Sequence, residues 1–355
     1  MKHFSSFLGA SLSAALLSAC GSQGVPLGAA GSVVRIPAST ARSVLRTRMA
    51  DKNLYVANYG NNTVTGYPHG KKKLRRTISQ SLTLPVALAF DAAGDLYVAN
   101  CGGGCYSAGQ VTVYSPDGKR VLRVITDGIY RPEALALDSS GNLYVANVGL
   151  YYYYPGSVTV YAPGTTSVLR TISNGVQRPS ALAFDAAGNL YVANGSDVTV
   201  YAPGASSPRL TISNGLRKPL SLAFDGAGNL YVGNNSSRDT SNVKVYAPGS
   251  NSFFETISDG VYVPYAMEFD GSGNLYVANW GNNDVTVYAS GQNSVLETIS
   301  DGVSRPYGIA LDDLDNLYVA NSSNNSVTVY APGSNRLRRT ITAGVSWPLA
   351  LQFGP

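Results

Sequence analysis

Few residues of this chain are equipped for covalent or acid–base chemistry. There are two His, His3 and His69, and three Cys, Cys20, Cys101 and Cys105. Only Gly102-Gly103-Gly104 separates Cys101 from Cys105, and no His or second Cys pair accompanies them, so they are poor material for a zinc site. No GxSxG phrase occurs, and no Ser/His/Asp set can be assembled around His69. Glu133 and Glu268 are acids set in otherwise apolar phrases, PEALAL and PYAMEF, at different places in each. Asp312-Asp313-Leu314-Asp315-Asn316 has oxygens enough for weak calcium binding, but a charged surface turn is the simpler reading. On these grounds no catalytic residue, metal ligand or cofactor is assigned, and the chain leans away from being an enzyme.

Residues suited to recognition are better represented. Tyr151, Tyr152, Tyr153 and Tyr154 run consecutively. Four neighbouring Tyr cannot all turn into one core, and Tyr offers broad contact area at low entropy cost. The plainer alternative is a loop packed on its own support. Trp280 and Trp347 are the two Trp of the chain, each able to meet a ligand or to pack on a rim. Arg131, Arg178, Lys218 and Arg305 each directly precede a Pro in a recurring phrase, so a repeated fold would carry them to equivalent places. Converging, they could hold a carboxylate or phosphate; apart, they are separate solvated charges.

The elements that must position these residues are strands. Charged residues make up 13% of the chain, too few for long helices or coiled coils, and the 44% hydrophobic content is too high for disorder. The phrase LYVAN recurs at Leu54, Leu96, Leu143, Leu190, Leu275 and Leu317, with LYVGN at Leu230. Each copy is followed by a VTVY-like segment, then one ending in TIS or a variant, then a PxALAF-like segment starting at Pro85, Pro132, Pro179, Pro219, Pro264, Pro306 and Pro348. The segments are short, β-branched or aromatic, and bounded by Gly, Asn, Asp and Pro turns. Four such strands in each of seven repeats of roughly 43 residues predict a seven-bladed β-propeller of antiparallel blades.

The order of segments predicts how the ring closes. The first repeat starts at LYVAN without an inner strand before it, and the last is followed by an extra PLALQF. The strand at 348–353 should therefore pair into blade 1 and leave no open sheet edge. The rival at 44–50 carries Arg46 and Arg48, which suit a crowded centre badly. Positions filled alike in every blade, such as the Asn ending each LYVAN, read as architecture. Function belongs where blades differ. The longest loops between the second and third strands are those of blades 2 and 3, holding Cys101 to Cys105 and Tyr151 to Tyr154. They should share a face with Trp280 and the cations before the inner strands.

The phrases GNLYVAN, VTVYAPG and RPxALAFD resemble NHL and YVTN-type repeats across residues 53–355. That resemblance implies the propeller and says little about role, because the fold hosts binding modules, scaffolds, lactonases and lyases. Similar propellers include gluconolactonase-like hydrolases and streptogramin lyases, but none of their catalytic residues can be matched to positions here.

The N-terminal segment resembles a bacterial lipoprotein leader. Lys2 precedes the apolar stretch 4–17, and Leu17-Ser18-Ala19-Cys20 looks like a lipobox. The resemblance implies a signal peptide over 1–19, lipidation at Cys20, a tether through 52, and an exported protein anchored in the bacterial cell envelope. No other stretch reaches 18 apolar residues. After export Cys101 and Cys105 could oxidise to an intraloop disulfide, or remain free thiols or a redox pair. The charge is uneven: residues 20–126 hold 13 basic and 4 acidic residues, and 127–305 hold 9 and 14. Clusters at 71–76, at Arg336, Arg338 and Arg339, and at Lys119, Arg120 and Arg123 should form one cationic wall near the closure. An anionic membrane or an envelope protein or polymer would suit it; nucleic acid would not, and a monomer is expected. Together these readings predict a lipid-anchored, non-catalytic binding or scaffold module. The alternative is a lactonase- or lyase-like metal-dependent enzyme centred in the channel.

Overall fold

A computed structural model describes residues 52–103, 108–149, 156–235 and 240–355. The leader, Cys20 and most of the tether, together with Cys105 and Tyr151 to Tyr154, lie outside the described residues. Seven four-stranded antiparallel sheets form a ring, with a short 3-10 turn at Tyr59–Asn61 in an otherwise all-β pattern. Each inner strand abuts those of the two neighbouring blades. This is the seven-bladed propeller that the repeat count predicts.

Closure occurs as the segment order requires. Blade 1 is built from Pro348–Gly354, Asn53–Asn58, Thr63–Pro68 and Arg76–Ile78, in that spatial order. The C-terminal strand runs antiparallel to Asn53–Asn58, with Leu54 opposite Phe353 and Val56 opposite Leu351. It also touches the inner strands of blade 7, Pro306–Leu311, and blade 2, Pro85–Phe90.

The second strand of each blade is buried on both faces, since it is paired on either side and sandwiched between adjacent blades. In Leu317–Asn321 every residue is buried. Its Tyr crosses to the next blade: Tyr191 meets Phe224, and Tyr231 meets Phe269, both with ring centroids 5.0 Å apart and nearly perpendicular. Such edge-to-face pairs contribute about 0.5–1.5 kcal/mol each beyond their area burial. The core is accordingly a set of clusters shared between adjacent blades; Val198, Val200 and Ile212 of blade 4 pack with Leu230, Val232 and Tyr246 of blade 5.

The turns explain much of the repeated polar sequence. Asp185 Oδ1 accepts from the backbone N–H groups of Ala187 and Asn189 at 2.9 and 2.8 Å, and its Oδ2 accepts from Asn189 Nδ2 at 2.7 Å. Gly188, at φ 78°, supplies the left-handed residue this turn needs. Blade 7 uses Asp315 at φ 58° in that position instead. The Tyr ending each third strand ties its blade to the chain entering it; Tyr201 Oη donates to the Asn174 carbonyl at 2.6 Å.

Candidate functional site

One face of the ring carries the loops between second and third strands and the connections entering each inner strand. Backbone bonds show the pairing: the Trp280 N–H donates to the Val263 carbonyl, that of Ser322 to Arg305, and that of Tyr59 to Trp347. This is the loop-rich face expected to hold the recognition residues.

The Asn that ends each LYVAN is structural. Asn321 is fully buried. Its Oδ1 accepts from the Ser304 N–H at 3.0 Å, and its Nδ2 donates to Thr328 Oγ1 at 2.9 Å and the Val319 carbonyl at 3.1 Å. The same side-chain oxygen bonds the connecting backbone in the other blades, as Asn58 does with Ser346 and Asn279 with Tyr262. These amides are used within the blade and are turned away from the channel.

In six of the seven blades the residue before the inner-strand Pro is strained. Leu84, Arg131, Arg178, Val263, Arg305 and Trp347 have φ between 45 and 53°. A residue before Pro ordinarily prefers extended backbone, and a left-handed β-branched Val is costly. Lys218 does not share the conformation. Compensation comes from the preceding blade: Leu84, Arg305 and Trp347 donate their N–H groups to Asn62, Asn283 and Asn325 at 2.7, 2.9 and 2.7 Å. The effect is to display these side chains around the channel mouth.

Immediately after the Pro the ladder slips in six blades, blade 4 being the exception. The register shifts between Pro132 and Ala134, between Pro264 and Ala266, and between Pro306 and Gly308. A bulge frees one residue from the ladder and re-aims its side chain. The residues freed here are Glu133, Tyr265 and Tyr307. Tyr307 of blade 7 and Glu133 of blade 3, on the far side of the ring, come close enough across the channel for each to shift the other's proton affinity. Tyr265 stacks on Tyr307 at 4.4 Å, and Trp280 meets Tyr265 edge-on at 6.1 Å. The Arg305 guanidinium lies 4.8 Å from the Trp280 ring centre. Burial pushes the Glu133 carboxyl above its ordinary range, against the pull of the Arg131 charge and of the Tyr307 hydroxyl. Burial and the Glu133 charge together push the Tyr307 hydroxyl well up.

Of the sequence-selected residues, the structure joins Trp280 to Arg305 and places Arg131 within the electrostatic reach of Glu133. Arg178 and Lys218 stand exposed at the equivalent positions of blades 4 and 5. Trp347 is 52% exposed and packs on Tyr59 with centroids 5.3 Å apart. Cys101 is buried and disulfide-bonded. Tyr265 and Tyr307 were not singled out from sequence. The signal was available, since they replace Val86, Ser180, Leu220 and Leu349 at the position after the Pro.

Glu133 and Glu268 do not converge. Glu268 lies three residues further along its strand than the bulge position, about 10 Å deeper. Its Oε2 accepts from the Leu311 N–H of the next blade at 3.0 Å. Among the described residues no group of three or more His, Cys, Asp or Glu is arranged to hold a metal. Asp312 is occupied by its own turn and by His69, 3.0 Å away; burial raises its pKa, but these hydrogen bonds outweigh burial and hold it below the ordinary value.

Glu268 makes a pH dependence predictable. Burial raises its pKa to about 8, from an ordinary 4.5, despite the lowering effect of the Leu311 N–H. The folded protein thus keeps a proton that the unfolded chain releases. This stabilisation is present at acidic pH and is lost as pH rises through about 8. Gln352 fills the same register in blade 1, so an amide fits there. Glu268→Gln should melt above the wild type near pH 8.5 and like it near pH 5, by on the order of 1 kcal/mol, because the residue is half-buried and part of the effect is screened. Paired thermal melts at the two pH values provide the check.

A scan of protein-family models finds no match to the chain, and a search of curated proteins finds no relative. Solved structures do match, 1314 chains in all, too many for the fold to single out a function. One is a functionally unknown protein from Desulfotomaculum acetoxidans DSM 771. It has a TM-score of 0.70 at 13% identity, covering 85% of this chain and 98% of that one. Another is the computationally designed Ika8 protein, with a TM-score of 0.61 at 15% identity, covering 84% and 87%. At these identities the likeness speaks for the fold alone.

Proposed function

We propose that this chain is an exported, lipid-anchored propeller of the NHL/YVTN kind that acts as a non-catalytic binding or scaffold module in the bacterial cell envelope. The observation that carries the reading is the close approach of Glu133 and Tyr307, flanked by Tyr265, Trp280 and Arg305. It fills the mouth of the channel with paired side chains and makes that end a preformed aromatic and cationic surface. Such a surface binds with little side-chain ordering cost, and Tyr, Trp and Arg are the types that dominate binding hot spots. The lipobox-like Leu17 to Cys20 supports export and anchoring, and the repeat phrases support the family.

The test is binding of purified protein to isolated envelope polymers and to detergent-extracted envelope proteins from the source cell. Trp280→Ala with Arg305→Ala, and separately Ser at Tyr151 to Tyr154, should each reduce capture of one defined partner by at least about tenfold. Unchanged capture by both variants would refute the loop-rich face as the site. Metal-dependent turnover of a lactone, lost in Glu133→Gln, would establish the enzyme reading instead.

A further inference from the structure

The opposite face of the ring is built differently at blades 7, 1 and 2 from elsewhere. In blades 3 to 6 the turns joining third and outer strands, at 162–169, 202–209, 247–252 and 289–296, hold one charged residue, Arg209, which donates to Asn189 Oδ1 at 3.3 Å. The corresponding turns of blades 7, 1 and 2 carry Arg336, then Lys71, Lys72 and Lys73, then Lys119, all exposed. Closure sets these turns side by side. Arg339 of blade 7 donates to the Gly70 carbonyl of blade 1, and Arg76 of blade 1 donates to the Pro116 carbonyl of blade 2 at 3.4 Å.

Between blades 7 and 1 opens a cavity of 490 Å³ whose walls include Lys71, Lys72, Arg338 and Leu314. Leu314 is 52% exposed. The equivalent turn positions hold Ala93, Ser140, Ala187, Ala227 and Ser272, so a large apolar side chain appears there only in blade 7. The acids of the blade 7 turn around this cavity and of the blade 2 turn at Lys119 are each engaged locally. Asp312 bonds His69 and Asn316, Asp313 pairs with Lys52 at 2.9 Å, Asp315 accepts from the Gly271 N–H at 3.0 Å, and Asp117 accepts from Ser115 at 2.6 Å.

The tether reaches the propeller at this same patch. Lys52 is paired to Asp313, and Asn53 starts the first strand opposite Gly354. We infer that the cationic patch of blades 7, 1 and 2 docks on anionic phospholipid, with Lys71 to Lys73 and Arg336 against the headgroup phosphates and Leu314 at the acyl boundary. Basic residues gather at an anionic surface, and an apolar side chain among them adds a short-range hold. The propeller then sits with this face to the membrane and the loop-rich face pointing away. The orientation rests on the lipid-anchor reading; the affinity for an anionic surface does not.

The test uses the non-acylated chain from Gly21, which contains the whole ring because every strand among the described residues lies between Asn53 and Gly354. It should sediment with phosphatidylcholine vesicles containing about a quarter phosphatidylglycerol, not with phosphatidylcholine alone, and should be released by high salt. Replacing Lys71, Lys72 and Lys73 by Glu should weaken binding about a hundredfold without moving the thermal transition. Brominated lipid reports the orientation. Trp280 and Trp347 both lie on the loop-rich face and should stay unquenched, whereas Leu314→Trp should add a quenched emission. Equal binding to both vesicles, indifference to the Glu substitutions or quenching of the native Trp would overturn the proposal. So would displacement by inorganic phosphate at matched ionic strength, which would mark a free-phosphate pocket. Metabolic lipid labelling of Cys20 separates the two readings. An unlabelled Cys20 with phosphatidylglycerol binding retained removes the anchor alone, and a labelled Cys20 without that binding removes the docking alone.

Discussion

Deleting residues 348–355 is expected to abolish the cooperative thermal transition. The truncated chain loses Leu349 and Leu351, each 8% exposed, and Phe353, which packs edge-on against Tyr318 at 5.1 Å. Burying an apolar side chain of this size contributes about 1.5–3 kcal/mol, so three of them amount to a large share of the roughly 5–15 kcal/mol that holds a typical domain folded. The truncation also removes the ladder along Asn53–Asn58 and leaves that buried, apolar strand as an open edge. Circular dichroism melts and limited proteolysis should show a loosened, aggregation-prone chain. A permutant provides the control. Gly354 lies opposite Asn53, just as inner and second strands face each other across a tight turn in the other blades. Moving 348–355 ahead of residue 53 through a short turn should therefore restore the transition. A truncated chain that melts like the intact one would show that closure is not what holds the ring.

The second large effect is expected at the amide of Asn321. Alanine there removes the acceptor of the Ser304 N–H and the donor to Thr328 and Val319, all inside a fully buried site. A buried polar group left without its partner costs about 1–3 kcal/mol, and the cavity adds to it, so a loss of about 2–4 kcal/mol is expected from denaturant melts. Asn321→Asp keeps the acceptor and loses the donors. Its carboxylate would face the Val319 carbonyl in a dry site, so this variant should be least stable at neutral pH and recover partly as acid protonates it. The same substitutions at Asn58 should behave alike, because its bonds to Thr63, Thr65, the Val56 carbonyl and the Ser346 N–H match those of Asn321. Asn279 also donates to the Asp284 carboxylate at 2.9 Å, so Asn279→Asp should cost more than the other two. A large difference between Asn58 and Asn321 would mean that one amide does something besides holding its blade.

The ring was legible in the sequence because it depends on local, repeated signals. The strand phrases and the Pro opening each inner strand recur seven times and the Asp-led turns six times, and each repetition reinforces the reading of the others. Closure was legible for a related reason, since one strand was missing at the start and one was left over at the end. Even the separation of architecture from candidates followed from repetition, and the bonds of Asn321 and Asp185 fit it.

The channel mouth followed a different logic. Glu133 and Tyr307 lie in different repeats, and nothing in either phrase says that they meet. Their contact depends on a bulge after Pro, which turns an outlying side chain into the channel, and on ring curvature, which sets blade 3 opposite blade 7. The left-handed residues before Pro were equally hidden, because local preference at such positions points to extended backbone, and at Leu84, Arg305 and Trp347 it is offset by bonds to Asn62, Asn283 and Asn325 of the neighbouring blades. The cationic patch was half legible: its charges are plain in the sequence, but their adjacency to Leu314 and to Lys52 is set by where blades 7 and 1 join. Sequence alone thus determined the number of blades, their strand order and the closing strand, since these follow from short-range periodicity. Tertiary structure alone decided which distant side chains share the channel mouth and on which face Lys52 enters the first blade, since those are long-range consequences of how the ring closes.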